Sequence, residues 1–180
     1  MASNDRFLVA IVAGVSLLVV VAFAVARLQP EPSFRPDGDP ESAAHNYLLA
    51  LERQDWPRAY GYLSPSLVCY PATAAQFVDD LSEDNRWLRE FEGVELRVVD
   101  SSVQGDVALV TVRETRYWSG GLFDSGQSSN DFEMKLIRES GIWHLTRSDQ
   151  YWWWGWSDAV EGRCREGRVP LPEPASPEGR

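Results

Sequence analysis

Phe7 to Ala26 is a run of twenty residues without a charge, apolar except for Gly14 and Ser16. A helix of that length, at about 1.5 Å per residue, covers roughly 30 Å, the thickness of a bilayer's hydrocarbon core. The expected use is an uncleaved single-pass transmembrane anchor over residues 7–27, behind a short flank of residues 1–6. A cleaved secretory signal is the alternative, and Ala24-Val25-Ala26 supplies the small-residue pattern for cleavage. Against it, a signal's apolar stretch runs to about 7 to 15 residues, shorter than this one. Arg6 before the span and Arg27 and Arg35 after it do not fix orientation by positive charge. An apolar amino-terminal segment on a short polar start usually exports the chain behind it, which places the body outside the cytoplasm.

Charge narrows the partners. Beyond residue 27 the chain carries 15 basic and 26 acidic residues, a formal charge of −11. Such a body repels nucleic acid and anionic head groups. The tightest basic grouping, Arg163, Arg165 and Arg168, is interleaved with Glu161 and Glu166. Nucleic acid is therefore not an expected partner. Cys69 and Cys164 form a candidate disulfide for an exported body, the alternative being two separate buried thiols. Neither has a second Cys or a His at ligand spacing, so no metal and no cofactor is expected.

Prolines mark the boundaries. Residues 28–38, with Pro30, Pro32 and Pro36, read as an extended spacer. Residues 169–180, with Pro170, Pro172, Pro174 and Pro177, read as a disordered tail. Between them, 39–168 is long enough for one core. The body opens with helices. Asp39-Pro40-Glu41 supplies an N-cap, a first-position proline and a first-turn acid. Ala44, Tyr47, Leu48 and Leu51 come next on one face. Asp55-Trp56-Pro57 starts a second helix, and Thr73-Ala74-Ala75-Gln76 has the capping-box pattern for a third.

After Gly93 the period changes to alternation. The spacing predicts strands over 94–103, 107–118, 131–138 and 142–147, with tight turns at 104–106 and 139–141 and a Gly/Ser-rich loop over 119–129. Helices followed by a four-stranded, mainly antiparallel sheet make the fold class α+β, with a curved sheet on about three helices.

The stretch PESAAHNYLLALERQDWPRAYGYLSPSL resembles the opening of the nuclear-transport-factor-two-like superfamily, in which a helix ending near ALxxxD leads to one beginning W-x-x-A-Y. RESGIWHL is similar to that superfamily's last hairpin. The resemblance spans about residues 39–150. It implies a bent sheet wrapped round the helices as a cone whose mouth can hold a small ligand. The superfamily includes ketosteroid isomerases, small dehydratases and many non-catalytic modules, so fold leaves activity open. The enzymatic branch places an Asp base on the inner cone wall, and that pattern does not map onto this chain residue by residue. The layout of span plus one such domain is similar to that of several bacterial envelope proteins.

The candidate site residues are suggested by composition. Tyr151-Trp152-Trp153-Trp154-Gly155-Trp156 puts four of the eight tryptophans into five residues. Each can bury about 150 to 250 Å². Read as a strand, the segment sends Trp152, Trp154 and Trp156 to one face and Trp153 to the other. Its bland use is to cap the cone. The alternatives are a patch for an envelope or membrane protein, contact with the bilayer interface, and stacking on sugar rings. Tyr117, Trp118 and His144 join Tyr151, Trp152, Trp153, Trp154 and Trp156 as candidate ligand- or partner-binding residues. His144 alternates with Trp143 and Leu145, which suits a surface position. A non-catalytic binding module is the expected function. The alternative, an isomerase- or dehydratase-type enzyme, needs Asp100, Tyr117 or His144 buried in a pocket. Sheets of this type often pair as homodimers, and nothing in the sequence requires it.

Overall fold

The computed structural model describes residues 2–27, 32–84, 91, 93–120, 125–157 and 164. The expected tail 169–180 and the grouping of Arg163, Arg165 and Arg168 lie outside the described residues. The chain forms two units, Met1–Ser33 and Phe34–Arg180. The first is helix α1 (Ala2–Arg27), and its stretch Phe7–Ala24 is long and apolar enough to cross a membrane.

The second unit is α+β. Its elements are α2 (Pro40–Glu52), α3 (Trp56–Gly61), α4 (Ala74–Asp84), β1 (Val94–Gln104), β2 (Val107–Ser119), β3 (Ser125–Glu139) and β4 (Ile142–Ser148). A short 3-10 turn, Trp154–Trp156, comes after them. The helices begin where side chains satisfy their first amides. Asp39 accepts the Ser42 N–H at 2.7 Å, and Pro40 occupies a position with no amide to satisfy. Asp55 caps α3. Thr73 Oγ1 accepts the Gln76 N–H at 3.1 Å, while Gln76 Oε1 accepts from Ala72, one residue earlier than in a standard capping box. Helix α2 is the central pillar, with Ala44, Tyr47, Leu48 and Leu51 all buried.

The sheet is antiparallel with strand order β1-β2-β3-β4. Ser140 and Gly141 both have positive φ, 53° and 87°, the primed-turn geometry that keeps a two-residue hairpin in step with strand twist. Ala108, Val110, Val112, Phe132, Met134, Leu136, Trp143 and Leu145 line the buried face. Register shifts at Val98/Asp100 and Lys135/Leu136 mark bulges, which bend a sheet locally.

Two expectations need correction. The Gly/Ser-rich stretch is mostly strand, because β2 and β3 stay paired out to Ser119–Ser125. Backbone bonds hold this arm together, aided by Arg113–Asp131 at 2.7 Å and Thr115–Ser129 at 3.1 Å. Most of its β3 residues are exposed, so no apolar alternation was there to read. The last part of the spacer is also folded. Asn46, 1% exposed, bonds both the N–H and the C=O of Arg35 at 2.8 Å, which fastens residues 34–38 to α2.

Candidate functional site

The aromatic segment after β4 lies in the core and not on a strand. Tyr151 has φ of +57°, a left-handed conformation rare for a bulky side chain, and it turns the chain inward. Trp156 is 0% exposed and sits at the centre of a ring cluster. Phe77 of α4 stacks on it at 5.2 Å with 12° between planes, and Trp152 meets it edge-on at 4.9 Å. Its indole N–H donates to Asp80 Oδ2 at 2.7 Å, so two residues that are 0% exposed, one on α4 and one in the segment, meet through a hydrogen bond. The Trp153 ring lies over Gly155, where a Cβ would run into it.

Further bonds tie the segment to elements on every side. Tyr47 of α2 donates its hydroxyl to Tyr151 O at 2.7 Å, and Tyr151 in turn donates to Glu114 Oε2 of β2 at 3.0 Å. Glu114 also pairs with Arg116. Trp152 Nε1 donates to Ser157 Oγ, whose own hydroxyl donates to Thr146 O of β4. Burial pushes the Tyr47 hydroxyl up, and burial together with the facing Glu114 pushes up that of Tyr151. Both stay protonated donors. Cys69 and Cys164 form a disulfide with Cα atoms 5.4 Å apart, and the Cys69 N–H reaches Trp156 O at 3.4 Å.

The eight candidate residues therefore do not make one site. Tyr151, Trp152, Trp153 and Trp156 are buried, which corrects their reading as a contact surface. Trp154 is 53% exposed and is the member of the segment a partner can touch. One exposed ring is not a platform of coplanar rings for sugars. Tyr117 and Trp118 are about half exposed at the end of β2, where Tyr117 donates to Glu95 across the outer face and Trp118 lies against Gly126. Asp100 is exposed on β1 opposite Thr111. His144 is half-buried on β4, its Nδ1 buried and without a hydrogen-bond partner among the described residues.

His144 lines a cleft of about 530 Å³ that the sequence did not suggest. Its other walls are the 34–39 segment, Ala43 and Asn46 of α2, Arg58 and Gly61 of α3, Tyr62, and Gly141 to Trp143 of the last hairpin. Arg58 lies over the Phe34 ring, 3.9 Å from its centre. Asp80 and Glu114, the buried carboxylates, were also missed. Each falls at a position whose apolar neighbours mark an inward face, Phe77 and Leu81 for Asp80 and Val110 and Val112 for Glu114. That alternation was the available signal.

No protein-family model matches the chain, and no curated relative matches it. Similar solved structures include a SEC-C motif containing protein from Rhodopseudomonas palustris, 19% identical over 64% of this chain and 80% of that one, TM-score 0.46. Another is an NTF2-like protein with a cystatin-like fold from Novosphingobium aromaticivorans, 13% identical over 60% and 75%, TM-score 0.43. A third is a Mycobacterium tuberculosis LEH-like epoxide hydrolase, 14% identical over 64% and 79%, TM-score 0.37. The body is α+β with NTF2-like neighbours. None of these likenesses is close enough to carry an activity across.

Proposed function

We propose that the chain is a single-pass, membrane-anchored binding or assembly module, its body outside the cytoplasm, that recognises an envelope or membrane protein or a small apolar ligand and does not turn over a substrate. The observation that carries this is the packing between sheet and helices. Where a cone-shaped enzyme would hold its substrate, Trp152, Trp153, Trp156, Tyr151 and Phe77 pack on one another, and Tyr151 and Asp80 are bonded within the chain. The Cys69–Cys164 bond supports an oxidising compartment, and α1 supports the anchor. Trp154 is the favoured partner contact, since exposed tryptophans are enriched at interface centres.

The enzyme reading keeps one specific observation, a carboxylate on the inner wall. That group is Glu114, and Arg116 and Tyr151 already bond its two oxygens. A general base needs an acceptor within reach of a substrate proton.

The test is photo-crosslinking in intact membranes, with a photoreactive residue at position 154 and, as control, at exposed Glu52. A discrete protein adduct from 154 alone, together with cleavage of the body by protease added outside sealed cells, is the expected result. Equal labelling from both positions, or a body protected from outside protease, would overturn the proposal.

A further inference from the structure

The cleft beside Asn46 holds polar groups whose bonding capacity is unequally used. Asp39 accepts from the Ser42 N–H and from the Ser42 hydroxyl, one on each oxygen. Asp37 Oδ1 takes two donors at 2.7 Å, Asn46 Nδ2 and the Tyr62 hydroxyl. The Asn46 amide is fully committed to Arg35 and Asp37. Burial, and then the bond to Asp37, pushes the Tyr62 hydroxyl up to about 12, so it remains a proton donor to that carboxylate. The acids of the cleft are thus supplied with donors from within the chain.

The cleft also carries two cations, beside a His144 Nδ1 that has no hydrogen-bond partner among the described residues. Arg35 is exposed, and its guanidinium has no ion pair among the described residues. Arg58 pairs with Asp55, Nε lying 3.3 Å from its carboxylate, and rests against the Phe34 ring, which holds the guanidinium plane at the cleft. Phe34, Ala43, Ile142 and Trp143 supply an apolar wall beside these two cations. A volume of about 530 Å³ falls within the range of small-molecule sites.

We propose that this cleft binds a small organic monoanion, a carboxylate carried on an aromatic or branched apolar body. The carboxylate engages Arg35 and Arg58, and the apolar body rests on Ile142 and Trp143. A guanidinium presents paired N–H groups that match a carboxylate's two oxygens. The strongly acidic body opposes multiply charged anions such as phosphate, so one negative charge is preferred. The inference goes beyond the anchored-module reading and stands without it, since it uses neither α1 nor Trp154.

The experiment is titration of the full chain in micelles with three probes, benzoate, benzamide and inorganic phosphate, monitored by backbone-amide NMR shifts at Arg35, Tyr62 and Ile142. Benzoate is expected to produce saturable shifts at all three. Benzamide, which keeps the ring and lacks the charge, should bind at least roughly tenfold more weakly, the loss of one charge-assisted contact. Arg35→Gln should weaken benzoate by a similar factor while the unfolding midpoint stays unchanged, because Arg35 is fastened through its backbone. Arg58→Gln gives the second variant. Equal binding of benzoate and benzamide, stronger binding of phosphate, affinity unaffected by Arg35→Gln, or no saturable shift at millimolar benzoate would each overturn the proposal.

Discussion

Trp156 Nε1 lies 2.7 Å from Asp80 Oδ2, and both residues are wholly buried. A hydrogen bond in that setting joins the aromatic segment to α4 and fixes how that segment enters the core. Losing Asp80 leaves the buried indole N–H without this acceptor.

Trp156→Ala removes the ring on which Phe77, Trp152 and Trp153 pack. It should destabilise the body by about 3–5 kcal/mol, the range for deleting a buried aromatic. Asp80→Ala should cost about 1–3 kcal/mol through the stranded indole N–H. The double variant should lose less than the sum of the two, and chemical denaturation of all four proteins measures that coupling.

Trp154→Ala should change stability by no more than about 0.5 kcal/mol, as surface substitutions usually do. Membrane partner capture should fall in the same variant. A large loss of stability on thermal unfolding would place Trp154 in the core and contradict its assignment as a contact.

Replacing Cys69 and Cys164 by Ser should cost roughly 2–5 kcal/mol, since the bond closes a loop with a sequence separation of 95. Comparing unfolding midpoints of oxidised chain, reduced chain and double variant checks this. The reduced chain and the variant should agree.

Stability should fall as pH rises above about 10. Tyr62 is raised from an ordinary value near 10 to about 12, and Tyr47, Tyr70 and Tyr151 are raised as well. An unfolded chain therefore loses these protons first. The stabilisation is complete below the unfolded value and is lost as pH climbs through the folded ones. The tyrosinate absorbance that Tyr62→Phe removes should appear late and rise together with unfolding, and that variant should show a smaller pH dependence. A Tyr62 contribution, read as the difference between the chain and Tyr62→Phe, that develops near pH 10 in the folded protein would contradict its raised value.

Much of the fold was legible because local chemistry and tertiary demand agree. Asp39-Pro40, Asp55 and Thr73 mark helix starts that packing then uses, and the Val-rich alternation of β1 and β2 matches a sheet with one buried face. The β3 arm escaped because its Ser, Gly and Asn residues have no apolar face, and pairing with β2 is settled by backbone bonds. The aromatic segment defeated period reading for a different reason. The strand ends at Ser148 and Tyr151 has positive φ, so the residues after it trace a turn and alternation no longer places them. The cleft was invisible because it joins residues 34–39, α2, α3 and the last hairpin, which meet only once the chain is folded.

Hydrogen exchange of the Trp156 indole N–H, monitored by NMR in deuterated buffer, tests the central claim most directly: that the chain's own aromatic segment fills the space between sheet and helices. If the segment is core, this proton exchanges only through global opening, as slowly as the amides of Val110 and Leu136. Exchange within the dead time, while those strand amides remain protected, would show an open interior available to a substrate and would contradict the account.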